Sequence, residues 1–438
     1  MMKYYLILLS VLLISSVNAQ EFVQVQDGQF IRNGKTYHYL GTNFWYGMNL
    51  GSNNKERLLR ELDRLNQLGI KNLRIMAASE GDIDAPWRMQ PSLQKEPGEY
   101  DEDLLMGLDF LLNEMKKRNM LAVVCLNNFW PWSGGFSQYV SWANNNEDIP
   151  FPPPADGGDW RSYQEYSAKF YKNEKAQEWF QNFIKILVSR RNSINGMMYK
   201  NDPTIMAWQL ANEPEGVDNP HLYREWIFET AQFIKQLDSN HLVSIGSEGN
   251  TPSAKNGTNF FKDHNNPSID YCTFHLWVQN WGWYDPEDAR ETYSKAILKA
   301  SQYIIDHLKV AERLNKPIVL EEFGISRDDN NYESRSNISY RNDYYQFIFQ
   351  SLLNYSQNIR QMSGVNFWAW AGEGRPREPK AIWKEGDDFI GDPPHEYQGW
   401  YSVYDTDIST LQILQDFTGK FNSLDTSLPD SSTNKLSK

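Results

Sequence analysis

The sequence predicts an α/β fold of the (β/α)8 barrel type, and three observations carry that prediction. Eight short apolar runs alternate with amphipathic segments of helical period, the segments that follow the runs are long, and two of the runs end abruptly in carboxylates. A parallel barrel keeps its reactive side chains at the C-terminal ends of its strands, so Glu at the tip of an apolar run suits it. A doubly wound sheet is the alternative, but no Gly-rich phosphate loop follows the first run.

Residues 1–19 carry Lys3, an apolar stretch and then small residues, the make-up of a cleavable export signal. A mature protein starting near Gln20 is therefore predicted to be secreted, outside the cell or into a periplasm. Residues 23–37 alternate in polarity around Asp27-Gly28 and Asn33-Gly34, which predicts small hairpins able to close the bottom of a barrel. Strands are predicted at 37–45, 73–77, 121–127, 205–213, 242–246, 271–277, 318–323 and 365–370. Helices are predicted at 55–68, 104–118, 176–190, 223–237, 289–314, 342–354 and 411–421. The segments 78–100, 128–164, 279–288 and 371–404 are rich in Trp, Asn, Gly and Pro, and on the face where strands end they imply an elaborate cleft. Residues 20–424 read as one catalytic domain and 425–438 as a disordered tail.

Composition narrows the partners. A net charge of −13 argues against nucleic acid and anionic membrane surfaces. No stretch beyond the leader is long and apolar enough to insert stably in a bilayer. Cys125 and Cys272 each lie inside an apolar run and read as buried free thiols. The seven His show no close ligand spacing, so neither a catalytic metal nor another cofactor is expected. Sixteen Trp and 24 Tyr supply rings that can stack on sugars as well as fill a core. Trp130, Trp132, Trp281, Trp283 and Trp370 are candidate platforms.

Glu213 and Glu322 end the fourth and seventh predicted strands, and closing a barrel brings such positions together. Two carboxyl groups roughly 5 Å apart, one protonated and one ionised, suffice to cleave a glycosidic bond with retention. Arg74, on the second strand, is the cation that would keep a carboxylate ionised; alone it would be an ordinary buried ion pair. Glu321 adjoins Glu322, and because neighbours on a strand alternate faces, only one is predicted to face the cleft. Glu321 would then pair between strand and helix, or support the site from its edge.

With these motifs in hand the chain resembles glycoside hydrolase family 5. Asn212-Glu213-Pro214 is similar to that family's acid/base motif, and Glu322-Phe323-Gly324 to its nucleophile motif. Arg74, His275 and Trp368 fall where it keeps an Arg, a His and a sugar-stacking Trp. The resemblance implies that Glu213 is acid/base, Glu322 nucleophile and Asn212 the partner of the sugar 2-hydroxyl. Residues 127–135 with Gln138-Tyr139, then 273–277, Asn280-Trp281-Gly282 and 402–407, resemble the endo-β-1,4-mannanases. This implies internal cleavage of mannan, glucomannan or galactomannan, with Asn128 and Trp130 among the sugar contacts. One position departs: Trp277 stands where the family has a Tyr that bonds the nucleophile. An indole N–H donates and cannot accept, so Trp277 is expected to orient the nucleophile without an acceptor role. The same reaction on a β-1,4-glucan, and a non-catalytic glycan-binding protein on the same fold, are the alternatives.

Overall fold

The computed structural model describes residues 21–426, apart from 83 and 254. The predicted leader, and the predicted tail beyond residue 426, lie outside the described residues. Eight parallel strands form one sheet: β1 (Tyr39–Asn43), β2 (Asn72–Met76), β3 (Leu121–Cys125), β4 (Ile205–Gln209), β5 (Leu242–Ser244), β6 (Cys272–Leu276), β7 (Ile318–Phe323) and β8 (Met362–Phe367). Their order is β5-β4-β3-β2-β1-β8-β7-β6. No ladder joins β5 to β6, but Asp270 N donates to Val243 O (2.8 Å) and His275 N to Glu248 O (3.1 Å), so the ring is nearly closed. The fold is the (β/α)8 barrel that the sequence predicts.

Strands covered on both faces read as continuous apolar runs, which is why all eight are found where the runs are. Strand β8 starts three residues ahead of the run at 365 because Gly364 interrupts it; a Cβ there would lie 2.6 Å from the Tyr39 ring. The seven predicted helices are present, from Lys55–Gln67 to Ile408–Asn422. Side chains of Asn54, Asp101 and Asn173 cap three of them by accepting backbone N–H bonds. Between β5 and β6 the described residues supply only the short helix Phe260–His264. Helices Gly47–Asn53, Gly135–Ala143 and Trp160–Ser167 were not predicted, their Gly and aromatic content hiding the helical period.

At the bottom of the barrel, strands Gln24–Gln26, Gln29–Arg32 and Lys35–Thr36 form the predicted hairpins. Both residues of each turn have positive φ (Asp27 51°, Gly28 74°, Asn33 52°, Gly34 70°), the geometry that Asn-Gly and Asp-Gly favour. Phe30 is fully buried, edge-on to the Tyr271 ring at 5.2 Å, and caps an interior cluster that includes Tyr39, Leu121, Val123, Leu242 and Val319. The far end of the described chain returns to the same place: Thr36 N donates to Thr426 O (3.0 Å) and His38 N to Asp425 Oδ1 (2.8 Å). Phe30→Ala is expected to cost about 3–5 kcal/mol. Urea denaturation measures it, and an unshifted midpoint would show that the hairpin does not hold the barrel together.

Candidate active site

The two strand ends that carry the carboxylates are shaped differently. Past β4 the chain runs on through Leu210 to Glu213, tied to its neighbours by Asn212 N to Asn127 O (2.9 Å) and Glu213 N to Gly246 O (2.8 Å). Glu213 itself has φ 48°, a left-handed conformation costly for a residue with a Cβ and held here by those flanking bonds. On β7, Phe323 packs outward against Tyr345 and Phe349. The register with β6 slips at its middle, Phe274 lying opposite Leu320 but His275 opposite Glu322. The slip breaks strand alternation, as bulges beside active sites do. Glu321 and Glu322 consequently both turn inward, yet only Glu322 lines the cleft, as expected; Glu321 does not pair between strand and helix but supports the site from below, through Gln209.

Arg74 organises the floor. Its Nε donates to Gln209 Oε1 (2.7 Å), Nη2 to Asn212 Oδ1 (2.8 Å), and Nη1 to Asn43 Oδ1 (3.1 Å) and to Glu322 Oε1. Gln209 Nε2 in turn donates to both oxygens of Glu321 (2.9 and 2.7 Å). Asn212 Nδ2 donates to Asn128 Oδ1 (3.1 Å), and Asn128 Nδ2 to Ser133 Oγ (3.0 Å). Asn128 is buried and, unlike Asn212, does not line the cleft, so it supports Asn212 and is not placed to touch sugar, contrary to expectation. Asn43 and Gln209 are site residues that sequence reading missed; uncharged and inside apolar runs, they gave no signal.

Glu213 is held from three sides. His275 Nδ1 and Trp277 Nε1 (3.1 Å) donate to its Oε1, and Trp130 Nε1 donates to its Oε2 (2.5 Å). Trp277 therefore serves Glu213, where the sequence reading had it orienting Glu322. His275 Nδ1 also lies 3.3 Å from Glu322 Oε2, and one oxygen of each carboxylate and one nitrogen of His275 lie within 4.8 Å of one another. Burial pushes Glu322 up to about 7 although His275 and Arg74 pull it down. Burial acts on Glu213 too, but His275 and the two indoles hold it below the usual carboxylate range. Burial alone would lower His275; the two carboxylates outweigh that and raise it to about 9. Near neutral pH His275 is thus held cationic between two carboxyl groups, of which Glu213 is the more readily ionised.

Above this floor is a cavity of about 260 Å3, at the small end for ligand sites. Trp130, Trp132, Trp281 and Trp368 line it, as do Glu213 and Glu322. Trp283 instead packs on Trp281 at 5.0 Å, and Trp370 is fully buried and donates to Glu61 Oε2 (3.0 Å), so neither is a platform. The sequence reading missed three further lining carboxyls, Glu215, Glu248 and Glu396. Burial and the neighbouring Glu213 charge raise Glu215 to about 8, and burial holds Glu248 and Glu396 well above their usual range. Neutral carboxyls donate and accept, which suits uncharged hydroxyls. Among the described residues, the lining comes from Glu322 on β7 and from the segments after β3, β4, β5, β6 and β8, and none from those after β1 and β2. There Trp45 forms a wall, packed on Trp132 (5.4 Å) and Phe389 (5.6 Å) with its indole donating to Gly391 O (3.0 Å).

Paired carboxylates at the C-terminal mouth of a parallel barrel, over an Arg-centred floor and under indole rings, belong to a barrel glycoside hydrolase. The comparisons with known proteins agree and narrow the class. The chain belongs to glycoside hydrolase family 5: a family model described as GH family 5 beta-mannosidase-like matches residues 20–426. It is 31% identical over 376 residues to mannan endo-1,4-beta-mannosidase 5 of Solanum lycopersicum, across 82% of this chain and 83% of that protein. It is 40% identical to the family 5 mannosidase of Rhizomucor miehei, whose crystal structure matches with a TM-score of 0.85 over 92% of this chain and 98% of that one. The endo-1,4-beta-mannanase of the same organism shares the fold at 23% identity and a TM-score of 0.67, over 92% of this chain and 100% of that one. Among the described residues no helix is long and apolar enough to cross a membrane.

Proposed function

We propose that the protein is an exported retaining hydrolase of β-mannosidic bonds. Glu322 attacks the anomeric carbon, Glu213 protonates the departing oxygen, and Glu213 then takes a proton from the water that releases the sugar. The observation that carries this reading is the approach of the two carboxylates to within 4.8 Å, too close for the water that an inverting pair must admit. Arg74 supplies the positive charge that favours an ionised nucleophile. Asn212 keeps one N–H free of its bond to Asn128, within reach of a sugar hydroxyl. The names of the relatives support mannose as the sugar, as does the complex of an R. miehei mannosidase variant with mannosyl-fructose. The composition of residues 1–19 supports export.

Cleavage inside a polymer, which the sequence resemblance implies, needs a cleft that runs across the whole mouth. The wall at Trp45 and the small cavity favour a second reading, in which the enzyme works from a chain end. Mannohexaose, galactomannan and a soluble cellulose, followed by product analysis and by proton NMR of the first anomer formed, test both. The expected result is β-configured product from mannan substrates only. Mannose as the sole early product establishes chain-end action, and a spread of shorter oligomers establishes internal cleavage. First-formed α-anomer, or hydrolysis of cellulose without mannan, would sink the proposal.

A further inference from the structure

Glu213 must give a proton in one step and take one in the next, so whatever biases its ionisation divides the rate between the two. Two indole N–H groups from separate strand ends converge on this one carboxyl group, Trp130 after β3 on Oε2 and Trp277 after β6 on Oε1. Neither ring is loosely placed. Trp130 lies edge-on to Trp160 at 5.7 Å and stacks on Tyr163 at 6.4 Å, while Trp277 is edge-on to Trp368 at 6.0 Å and against Tyr401 at 5.4 Å. An indole N–H only donates, so both rings stabilise the ionised form, which accepts strongly at both oxygens, more than the protonated one.

We infer that Trp130 and Trp277 are positioning residues that hold Glu213 ionised, favouring the step in which it accepts a proton from water over the step in which it donates one. The inference rests on the acid/base reading of Glu213. Of the other groups facing Glu213, His275 acts in the same direction and more strongly, through its charge and its own hydrogen bond, and the two indoles add to it. Arg74 and Glu322 are paired with each other, and Glu215, Glu248 and Glu396 are neutralised by burial. Tyr303, from helix Ala289–Leu314, is likewise kept neutral. In the first step the proton leaves Glu213 for the glycosidic oxygen as the bond to the anomeric carbon breaks and the Glu322 ester forms. In the second, the water oxygen bonds that carbon, its proton passes to Glu213, and the ester bond to Glu322 breaks.

The test is the pH dependence of kcat/KM for wild type, Trp277→Phe and Trp130→Phe, each on two substrates. Departure of the second sugar of β-1,4-mannobiose needs the acid proton; departure of dinitrophenolate from an aryl β-mannoside does not. Removing a donor raises the pKa of Glu213, so on mannobiose the alkaline limb is expected to move up by about one pH unit in either variant. On the aryl substrate that limb stays where it is, because departure of dinitrophenolate does not call on the protonated form of Glu213. An alkaline limb that does not move on mannobiose in either folded variant, or one that moves equally on both substrates, overturns the inference. Circular dichroism reports folding, and either variant alone suffices. Glu213→Gln separates the underlying reading: full mannobiose activity in that variant would remove Glu213 as acid/base whatever the Trp variants do.

Discussion

Glu322→Ala is expected to lower turnover by about 10^4-fold or more, since on the proposed mechanism it removes the attacking group and leaves only the contribution of binding and the remaining site. The neighbouring residue supplies the control. Glu321 also points inward, but it meets the two N–H bonds of Gln209 and lies 3.8 Å from Arg74, one layer below the cleft. Glu321→Gln therefore keeps the chemistry and loses far less activity. Burial pushes the Glu322 carboxyl up, so its ionised form is held at a cost, and Glu322→Ala is expected to unfold at or above the wild-type temperature. Steady-state rates on mannobiose and a thermal melt decide the matter. Equal losses in the two variants would mean that the pair acts as a unit and that the assignment to Glu322 is wrong.

The second large effect is expected at Arg74. Its guanidinium is buried and donates to Gln209, Asn43, Asn212 and Glu322, with Glu321 also close by. Arg74→Met strands buried carboxylates without their cation, a change that typically costs about 3–5 kcal/mol. Activity falls as well, because Glu322 then holds its proton to higher pH and the acid limb of kcat/KM moves upward. Lys is a poor replacement: one ammonium cannot reach acceptors spread around a planar fork. Denaturant midpoints and the pH profile of the Met and Lys variants check this. A wild-type midpoint for Arg74→Met would show that His275 alone balances the carboxylates.

Much of this architecture is legible in the sequence because covered parallel strands cannot hide their apolar runs, and because a charge such as Arg74 stands out within one. The failures have local causes. Alternation along β7 picked out the one carboxylate that reaches the cleft, but it missed that Glu321 also turns inward, because a register slip is a property of two strands together, and β6 carries no sign of it. The aim of Trp277 was misjudged for a similar reason: its ring direction is set by Trp368 and Tyr401, from another strand and a distant loop. Glu215, Glu248 and Glu396 come from irregular segments, where no periodicity separates a cleft carboxyl from a surface one. Asn128 sat in the right loop, yet only the packed structure shows that it lies behind Asn212, bonded to Asn212 and Ser133 and out of the cleft.

The hydrogen bonds that join Thr36 to Thr426 and His38 to Asp425 have a practical consequence. Both ends of the described chain leave from the hairpin face, across the full height of the barrel from the mouth. A tether fixed at either end would present the mouth to solution, so a fusion partner or a solid support can be attached there without obstructing access to the cleft.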